Sequence, residues 1–225
     1  MTTLLELRKN VEQELRATRI VAGVLEGRLR PEDYVGYLAN ARYYAQFSPV
    51  LMAQGAARCM ASHPELARYL LHHAEEEQGH DAWALEDLAD LGVSKEQALA
   101  MQPVRSCRAL VGYVHYLAGT ANPVGLFGWM YVLEAVGKDL GTIVGAALEA
   151  AMPKGRTGAV RFVARHGEAD ADHAEDLAAQ IRDHVREEGD RAAVLDAAEV
   201  VADLYLRMFR ELGGEQPRWS GTSSS

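Results

Sequence analysis

Apolar residues recur every three or four positions along almost the whole chain, and no useful stretch alternates apolar with polar residues. This spacing places apolar side chains on one side of an α-helix, whereas a half-buried strand requires a two-residue repeat. A chain of 225 residues can bury a core without a second domain. The sequence therefore predicts an all-α fold, with one helical domain over residues 1–213 and a flexible tail over residues 214–225.

Prolines divide this helical pattern into segments, because proline is tolerated at the start of a helix and disrupts its interior. Five prolines coincide with breaks in the pattern, at positions 31, 64, 103, 123 and 153. The resulting prediction is a bundle of about seven helices, over residues 2–27, 32–60, 64–91, 94–119, 124–151, 156–188 and 190–213. Pro49 is expected to bend the second helix and Pro103 to break the fourth.

Charge and composition argue against several classes of protein. The net charge is -9 and no lysine or arginine cluster is present, so we expect no nucleic-acid partner. The longest apolar stretch, 123–136, contains two glycines and is too short to span a membrane, and the first residues lack a signal-peptide core. These features predict a cytoplasmic protein without membrane association. Cys59 and Cys107 are far apart in sequence and are interpreted as buried, reduced thiols.

Potential metal ligands are concentrated in the predicted third helix, within LLHHAEEEQGHDAW. His73 and His80 are seven residues apart, which is nearly two helical turns, and Glu76 and Glu77 lie between them. Each residue advances the side chain by about 100°, which places Glu77 about 40° from His73 and about 60° from His80. One side of this helix is therefore expected to present two imidazoles and at least one carboxylate.

Two later helices carry residues of the same types. His166, Asp170 and His173 follow one another in steps of four and three, so they share one side of the predicted sixth helix. Glu134 lies inside the apolar run GLFGWMYVLEAV, where a buried carboxylate needs a metal, an arginine or an ordered water. Imidazole and carboxylate ligands together suit iron, manganese or zinc, and facing helices of a bundle can assemble them.

A single pair of histidines at this spacing is more often solvated or part of a core than a metal site. Three clusters on three helices, one of them with a buried carboxylate, favour a shared metal centre. The other histidines and acidic segments are interpreted as structural or solvated: His63, His72, Glu75, His115, His184 and the DLAD and EDL stretches.

Two segments resemble haem-oxygenase-like proteins, and the similarity extends over most of residues 5–190. GRLRPEDYVGYLANARYYAQFSPVL resembles their early helices, and NPVGLFGWMYVLEAVGKDLG resembles a later helix that contains YVLE. Haem oxygenases bind the haem iron through a histidine on the first helix. The first histidine here is His63, well beyond that helix, so haem binding is not expected.

The sequence is more similar to the haem-oxygenase-like di-iron oxidases and oxygenases, also described as iron-containing redox enzymes. Their pattern is Glu and His on one helix, a lone Glu on a later helix, and His-x3-Asp/Glu-x2-His on a third. The resemblance implies seven candidate metal ligands: His73, Glu77, His80, Glu134, His166, Asp170 and His173. His73 departs from the pattern, because many members have glutamate seven residues before the histidine that matches His80. Members with glutamate three residues before it match Glu77.

The resemblance implies a centre of Fe(II), two ions in the di-iron form, with dioxygen as co-substrate and no haem. The expected partner is a small organic substrate such as an amino acid, an amine or a fatty acid, and the helix faces leave a homodimer open. The alternatives are a metal-free enzyme, similar to thiaminase II or pyrroloquinoline quinone synthase, and a small-molecule-binding module. Neither cysteine lies in a sequence that matches the thiaminase II cysteine motif.

Aromatic residues near these helices could line a substrate pocket, although at helical spacing most are expected in the core. The candidates are Tyr43, Tyr44, Phe47, Trp83, Phe127, Trp129 and Tyr131.

Overall fold

The computed structural model describes residues 3–152 and 158–215, with the side chains of residues 168–172 excepted. Twelve α-helices are present in this part of the chain: α1 (Leu4–Ala17), α2 (Arg19–Leu25), α3 (Pro31–Ala45), α4 (Ser48–Cys59), α5 (Pro64–Glu76), α6 (His80–Asp90), α7 (Lys95–Ala100), α8 (Arg105–Gly119), α9 (Leu126–Val136), α10 (Thr142–Ala151), α11 (Arg161–His184) and α12 (Glu188–Leu212). A 3-10 turn (Pro123–Gly125) precedes α9, and a π-helical turn (Gly137–Gly141) joins α9 to α10. None of these helices is long and apolar enough to cross a bilayer.

The all-α prediction is confirmed, and the predicted helices differ from the observed ones mainly in their interruptions. Pro31 and Pro64 begin α3 and α5 as expected, and Pro103 lies in the link between α7 and α8. Five predicted helices are each divided in two. The division least expected from the sequence is between α5 and α6, where Gly79 adopts a left-handed backbone (φ 84°) that favours glycine.

Two clusters of buried apolar residues form the core. The larger one joins α1, α4, α5, α8, α9 and α12, with Leu15, Phe127 and Met208 among its members. The smaller one joins α3, α6, α10 and the start of α11, and includes Leu38 and Leu88. Helix α9 belongs to the larger cluster and α11 contributes to both, and Glu134 of α9 is buried with 7% exposure.

Helix α9 lies directly against α12. Of its eleven residues, nine are buried, and Gly128 is in contact with the α12 backbone. A Cβ atom at Gly128 would overlap the Val194 carbonyl oxygen and lie 2.8 Å from the Ala198 nitrogen. The absence of a side chain at Gly128 thus allows the two helices to approach closely.

Replacing Gly128 with alanine is expected to lower the free energy of unfolding by about 2 to 3 kcal/mol, because the helices must separate to admit the methyl group. Chemical denaturation followed by circular dichroism measures this change. Gly112 in α8 is the matched control, since a Cβ there meets no atom within 4 Å. Gly112→Ala should be neutral or stabilise by up to about 1 kcal/mol. Equal stability of the two variants would contradict the described contact between α9 and α12.

Candidate metal centre

Three parts of the fold bring the candidate ligands together. His73 lies in the last turn of α5, Glu77 directly follows that helix, and His80 begins α6. Glu134 comes from α9, and His166 and His173 from α11. Because α5 ends before His80, the side chains of His73 and His80 are not constrained by one continuous helix. The end of α5 therefore contributes ligands to two neighbouring groups.

The first group consists of Glu77, His80 and His166. One potential ligand atom from each lies within 4.8 Å of the others. The His80 ring stacks on Trp83 at 3.9 Å between centroids and lies 4.9 Å from the His166 ring. The Nδ1 atom of His166 lies 2.8 Å from the Phe162 carbonyl oxygen. A carbonyl oxygen only accepts hydrogen bonds, so Nδ1 carries the proton and Nε2 has the lone pair available for a metal.

The second group consists of His73, Glu76 and His173, which also place one potential ligand atom each within 4.8 Å of one another. The rings of His73 and His173 are 4.8 Å apart. Glu134 joins the groups: its Oε1 lies 2.9 Å from His73 Nε2 and its Oε2 lies 3.7 Å from His173 Nδ1. His73, Glu77 and Glu134 form a further close set. Glu134 is therefore placed to contact both groups.

At the first group, the pKa of the Glu77 carboxyl and that of the His166 imidazole are both lowered. Burial opposes ionisation of Glu77, but its interactions with His80 outweigh burial, so the pKa of Glu77 is lowered. Burial also lowers the pKa of His166, which keeps the ring neutral, the form that binds metals. At the second group, the Glu134 carboxylate raises the pKa of His173. The pKa values of these two histidines are therefore shifted in opposite directions, by burial at His166 and by the neighbouring carboxylate at His173.

A divalent cation fits this set of donors. The Nδ1 atoms of His80 and His173 are buried and make no hydrogen bond within the described residues, although Glu77 Oε1 lies 3.1 Å from the first and Glu134 Oε2 lies 3.7 Å from the second. Buried polar atoms normally have a partner, so unsatisfied ones need an explanation. A metal ion between each imidazole and carboxylate would satisfy both, and nitrogen and oxygen donors suit iron, manganese and zinc.

A contact between two glycines sets the spacing of the helices that carry Glu134 and His166. Gly141 ends the π-helical turn after α9, and Gly167 follows His166 in α11. A Cβ on Gly141 would lie 2.7 Å from the Gly167 Cα, and a Cβ on Gly167 would lie 2.8 Å from the Gly141 carbonyl carbon. Neither position leaves room for a side chain, so the backbones touch one residue away from a candidate ligand.

Asp87 connects the two helices that carry the first group. The side chain is fully buried (0%) and accepts hydrogen bonds from the backbone N–H groups of Arg161 and Phe162, at 3.1 and 2.8 Å. These groups are at the start of α11, where a carboxylate is favourable because the helix N-terminus is partly positive. The prediction that the DLAD stretch is a solvated helix face is wrong for Asp87. An acidic residue that binds another helix leaves no distinct local sequence pattern.

Six of the seven candidate ligands meet in one volume, and the seventh, Asp170, has a side chain outside the described residues. The prediction that His73 and His80 share one helix face is wrong, because α5 ends between them. The two histidines belong to different groups. His72 and Glu75 are exposed, as expected. The side chain of Glu76 is 36% exposed and belongs to the second group. The sequence alone did not show whether Glu76 or Glu77 is the ligand.

A cavity of about 130 Å³ opens onto the first group, with Glu77, Glu134 and His166 in its wall. The remaining wall is mainly aliphatic and aromatic. Of the seven aromatic residues considered from the sequence, Tyr44 and Trp129 belong to this wall. The other five lie outside it: Tyr43, Phe47, Trp83, Phe127 and Tyr131. Trp83 instead contacts the rings of His80 and His166.

Comparison with known families identifies the group to which the chain is related. The family model described as iron-containing redox enzyme matches residues 35–206, which include the six described candidate ligands. The chain belongs to the iron-containing redox enzyme family. This result confirms the family suggested by the sequence resemblance. No curated protein matches the sequence significantly.

Solved structures with the same fold include a domain described as having a haem-oxygenase-like fold, a TenA homologue and a haem oxygenase. A domain of unknown function from Shewanella denitrificans has a TM-score of 0.83 and 23% identity, covering 96% of this chain and 94% of that one. A TenA homologue from Pseudomonas syringae has a TM-score of 0.76 and 16% identity, covering 95% and 91%. Haem oxygenase-1 from Synechocystis, solved with haem, has a TM-score of 0.67 and 18% identity, covering 94% and 90%. The predicted haem-oxygenase-like helical fold is confirmed.

Asp87→Asn is expected to lower the free energy of unfolding by about 2 to 3 kcal/mol, because the amide NH2 cannot accept a hydrogen bond from the backbone of α11. Denaturation curves measure this loss, and hydrogen exchange should show faster opening at the start of α11. Asp90→Asn is the control: Asp90 is exposed and contacts the Arg161 side chain at 2.6 Å. That substitution should cost less than about 1 kcal/mol. Similar losses for both variants would contradict the role of Asp87.

Proposed function

We propose that this family member is a non-haem iron enzyme with two iron ions, which uses dioxygen to oxidise a small organic substrate. The main support is the convergence of four histidines with Glu77 and Glu134 beside an apolar cavity. Burying several ionisable groups together is unfavourable unless a cation compensates them. The iron-containing family description is consistent with such a centre.

The proposed ligands divide into two sets. Glu77, His80 and His166 would bind the first iron, because their potential ligand atoms are mutually close and two of these residues face the cavity. His73 and His173 would bind the second iron, with Glu76 at the solvent side and Asp170 on the same helix as His173. Glu134 would lie between the two ions.

Bound iron would supply the activation of dioxygen and would relay electrons to it from the substrate that is oxidised. The chain itself holds the ligands in fixed geometry and shields them from water. The Phe162 carbonyl accepts the His166 Nδ1 proton and so fixes the orientation of that ring. The carboxylates of Glu77 and Glu134 would partly neutralise the charge of bound ions, and the apolar wall would place a substrate next to the first set.

Two other functions of haem-oxygenase-like proteins have less support. Helices α1 and α2, over residues 4–25, contain no histidine that could bind a haem iron in the manner of haem oxygenases. A metal-free enzyme similar to thiaminase II would need a reactive cysteine. Burial raises the pKa of Cys59 to about 11 and that of Cys107 to about 12, so neither thiol is ionised near neutral pH.

Loading the protein with Fe(II) without oxygen, followed by exposure to air, tests the proposal. We expect about two iron ions per chain, a transient visible absorption and consumption of oxygen. His80→Ala and His166→Ala should each reduce the bound iron and abolish oxygen consumption, because each removes a proposed ligand of the first iron. Iron content by emission spectrometry and an oxygen electrode provide the measurements.

The control variant is His115→Ala, which removes an exposed histidine that packs on Phe47, away from the proposed ligands. It should retain iron and oxygen consumption at the wild-type level. Oxygen consumption that is unchanged in His80→Ala and His166→Ala would refute the proposed centre. A wild-type protein that binds cavity ligands but no iron would instead indicate a small-molecule-binding module.

A further inference from the structure

Glu76 connects the second group to solvent. Its side chain is 36% exposed, whereas those of His73 and His173 are 2% and 19% exposed. Among the described residues of the close sets around the centre, Glu76 is the only exposed one, and the others are buried or half-buried. An ion that approaches the second group from water therefore meets the Glu76 carboxylate first.

The cavity beside the first group is a poor path for a metal ion. Its wall is mainly aliphatic and aromatic, and His73, Glu76 and His173 all lie outside it. A divalent ion loses favourable hydration when it enters apolar surroundings, and an apolar wall offers nothing in exchange. Metal ions and an organic substrate are therefore expected to reach the centre by different paths.

The two carboxylate oxygens of Glu76 lie near different histidines. Oε2 is 3.5 Å from His73 Nδ1 and 3.7 Å from His173 Nε2, which belong to the second group. Oε1 is 3.5 Å from the Nε2 atom of His72, whose side chain is 69% exposed. Glu76 is thus placed between one imidazole at the surface and two imidazoles of the proposed centre.

His72 and Glu76 have the spacing of a chelating pair. They are four residues apart at the end of α5, so their side chains lie on the same face of the helix. Two histidines at this spacing bind one metal ion in helical zinc motifs. An imidazole nitrogen and a carboxylate oxygen are both common ligands of divalent transition metals, so this pair can bind such an ion together with water.

The charges around Glu76 favour a cation. Within the described residues, its ion-pair partners are all histidines, and no lysine or arginine nitrogen lies within 4 Å of its carboxylate. The ring of Tyr69 stacks on His73 at 5.8 Å. Burial raises the pKa of Tyr69, and nearby carboxylates, among them Asp176 of α11 and Glu76, raise it further. Negative charge from two helices therefore surrounds this entrance and attracts divalent ions.

We propose that His72 and Glu76 form an entry site, which captures a divalent transition-metal ion from water and passes it to His73 and His173. Glu76 remains a ligand throughout: it acts first with His72, and then with the two inner histidines, which replace His72 and bound water. The inference rests on the proposed function, because the second set of ligands receives the ion. His72 does not belong to the final set, so it determines the rate of loading and leaves the affinity unchanged.

The rate of metal uptake tests this inference without turnover. Protein freed of metal by a chelator is mixed rapidly with Co(II), and the visible absorption of the bound ion is followed at several Co(II) concentrations. His72→Ala should slow uptake at low Co(II) by about tenfold, because two linked ligands capture an ion more effectively than one. The final absorption and the number of ions bound per chain should equal those of the wild type. The fold should be preserved, since the replaced side chain is 69% exposed.

The rate of release is the second measurement. If the affinity is unchanged, uptake and release must slow by the same factor, so loss of Co(II) to an excess of chelator should also be slower in His72→Ala. His115→Ala is the matched control, because it removes an exposed histidine that packs on Phe47, and it should load and release Co(II) at wild-type rates.

Three results for His72→Ala would overturn the inference while the metal centre stands. They are unchanged uptake, slower uptake with unchanged release, and fewer ions bound at equilibrium, since the last two would make His72 a ligand of the final site. Failure of the wild type to bind either Co(II) or Fe(II) would overturn the proposed function and this inference with it.

Discussion

Two buried carboxylates impose the strongest constraint on this structure. Glu77 and Glu134 are both buried, and histidines are in contact with both of them. An ionised carboxylate in such surroundings is stable only if positive charge or hydrogen-bond donors compensate it. Four imidazoles supply part of that compensation, and a pair of divalent cations would supply the rest. The electrostatics of the core and the family relationship therefore both support the proposed iron centre.

Local irregularities of the helices make this arrangement possible. The left-handed backbone of Gly79 separates α5 from α6, which begins at His80. His73 and His80 can therefore belong to different groups. The contact of Gly141 with Gly167 brings α9 and α11 to backbone distance. Asp87 then fixes the start of α11 to α6. These features lie close in sequence to candidate ligands, so they position the helices from which the ligands project.

Much of the architecture could be predicted from the sequence, because helical periodicity and proline positions are local signals. Glu134 was identifiable from its apolar neighbours, and the spacing of His166 and His173 placed them on one side of a helix. The division at Gly79 was not predictable, since a single glycine is also tolerated within helices. The role of Asp87 depends on residues far away in the sequence, so no local pattern could reveal it.

The most direct test of the central claim is anomalous diffraction at the iron absorption edge from crystals of the iron-loaded protein. We predict two peaks about 3.5 to 4 Å apart, one bound by Glu77, His80 and His166, the other near His173, with Glu134 between them. A peak bound elsewhere, or none at these residues in crystals that contain iron, would contradict the account.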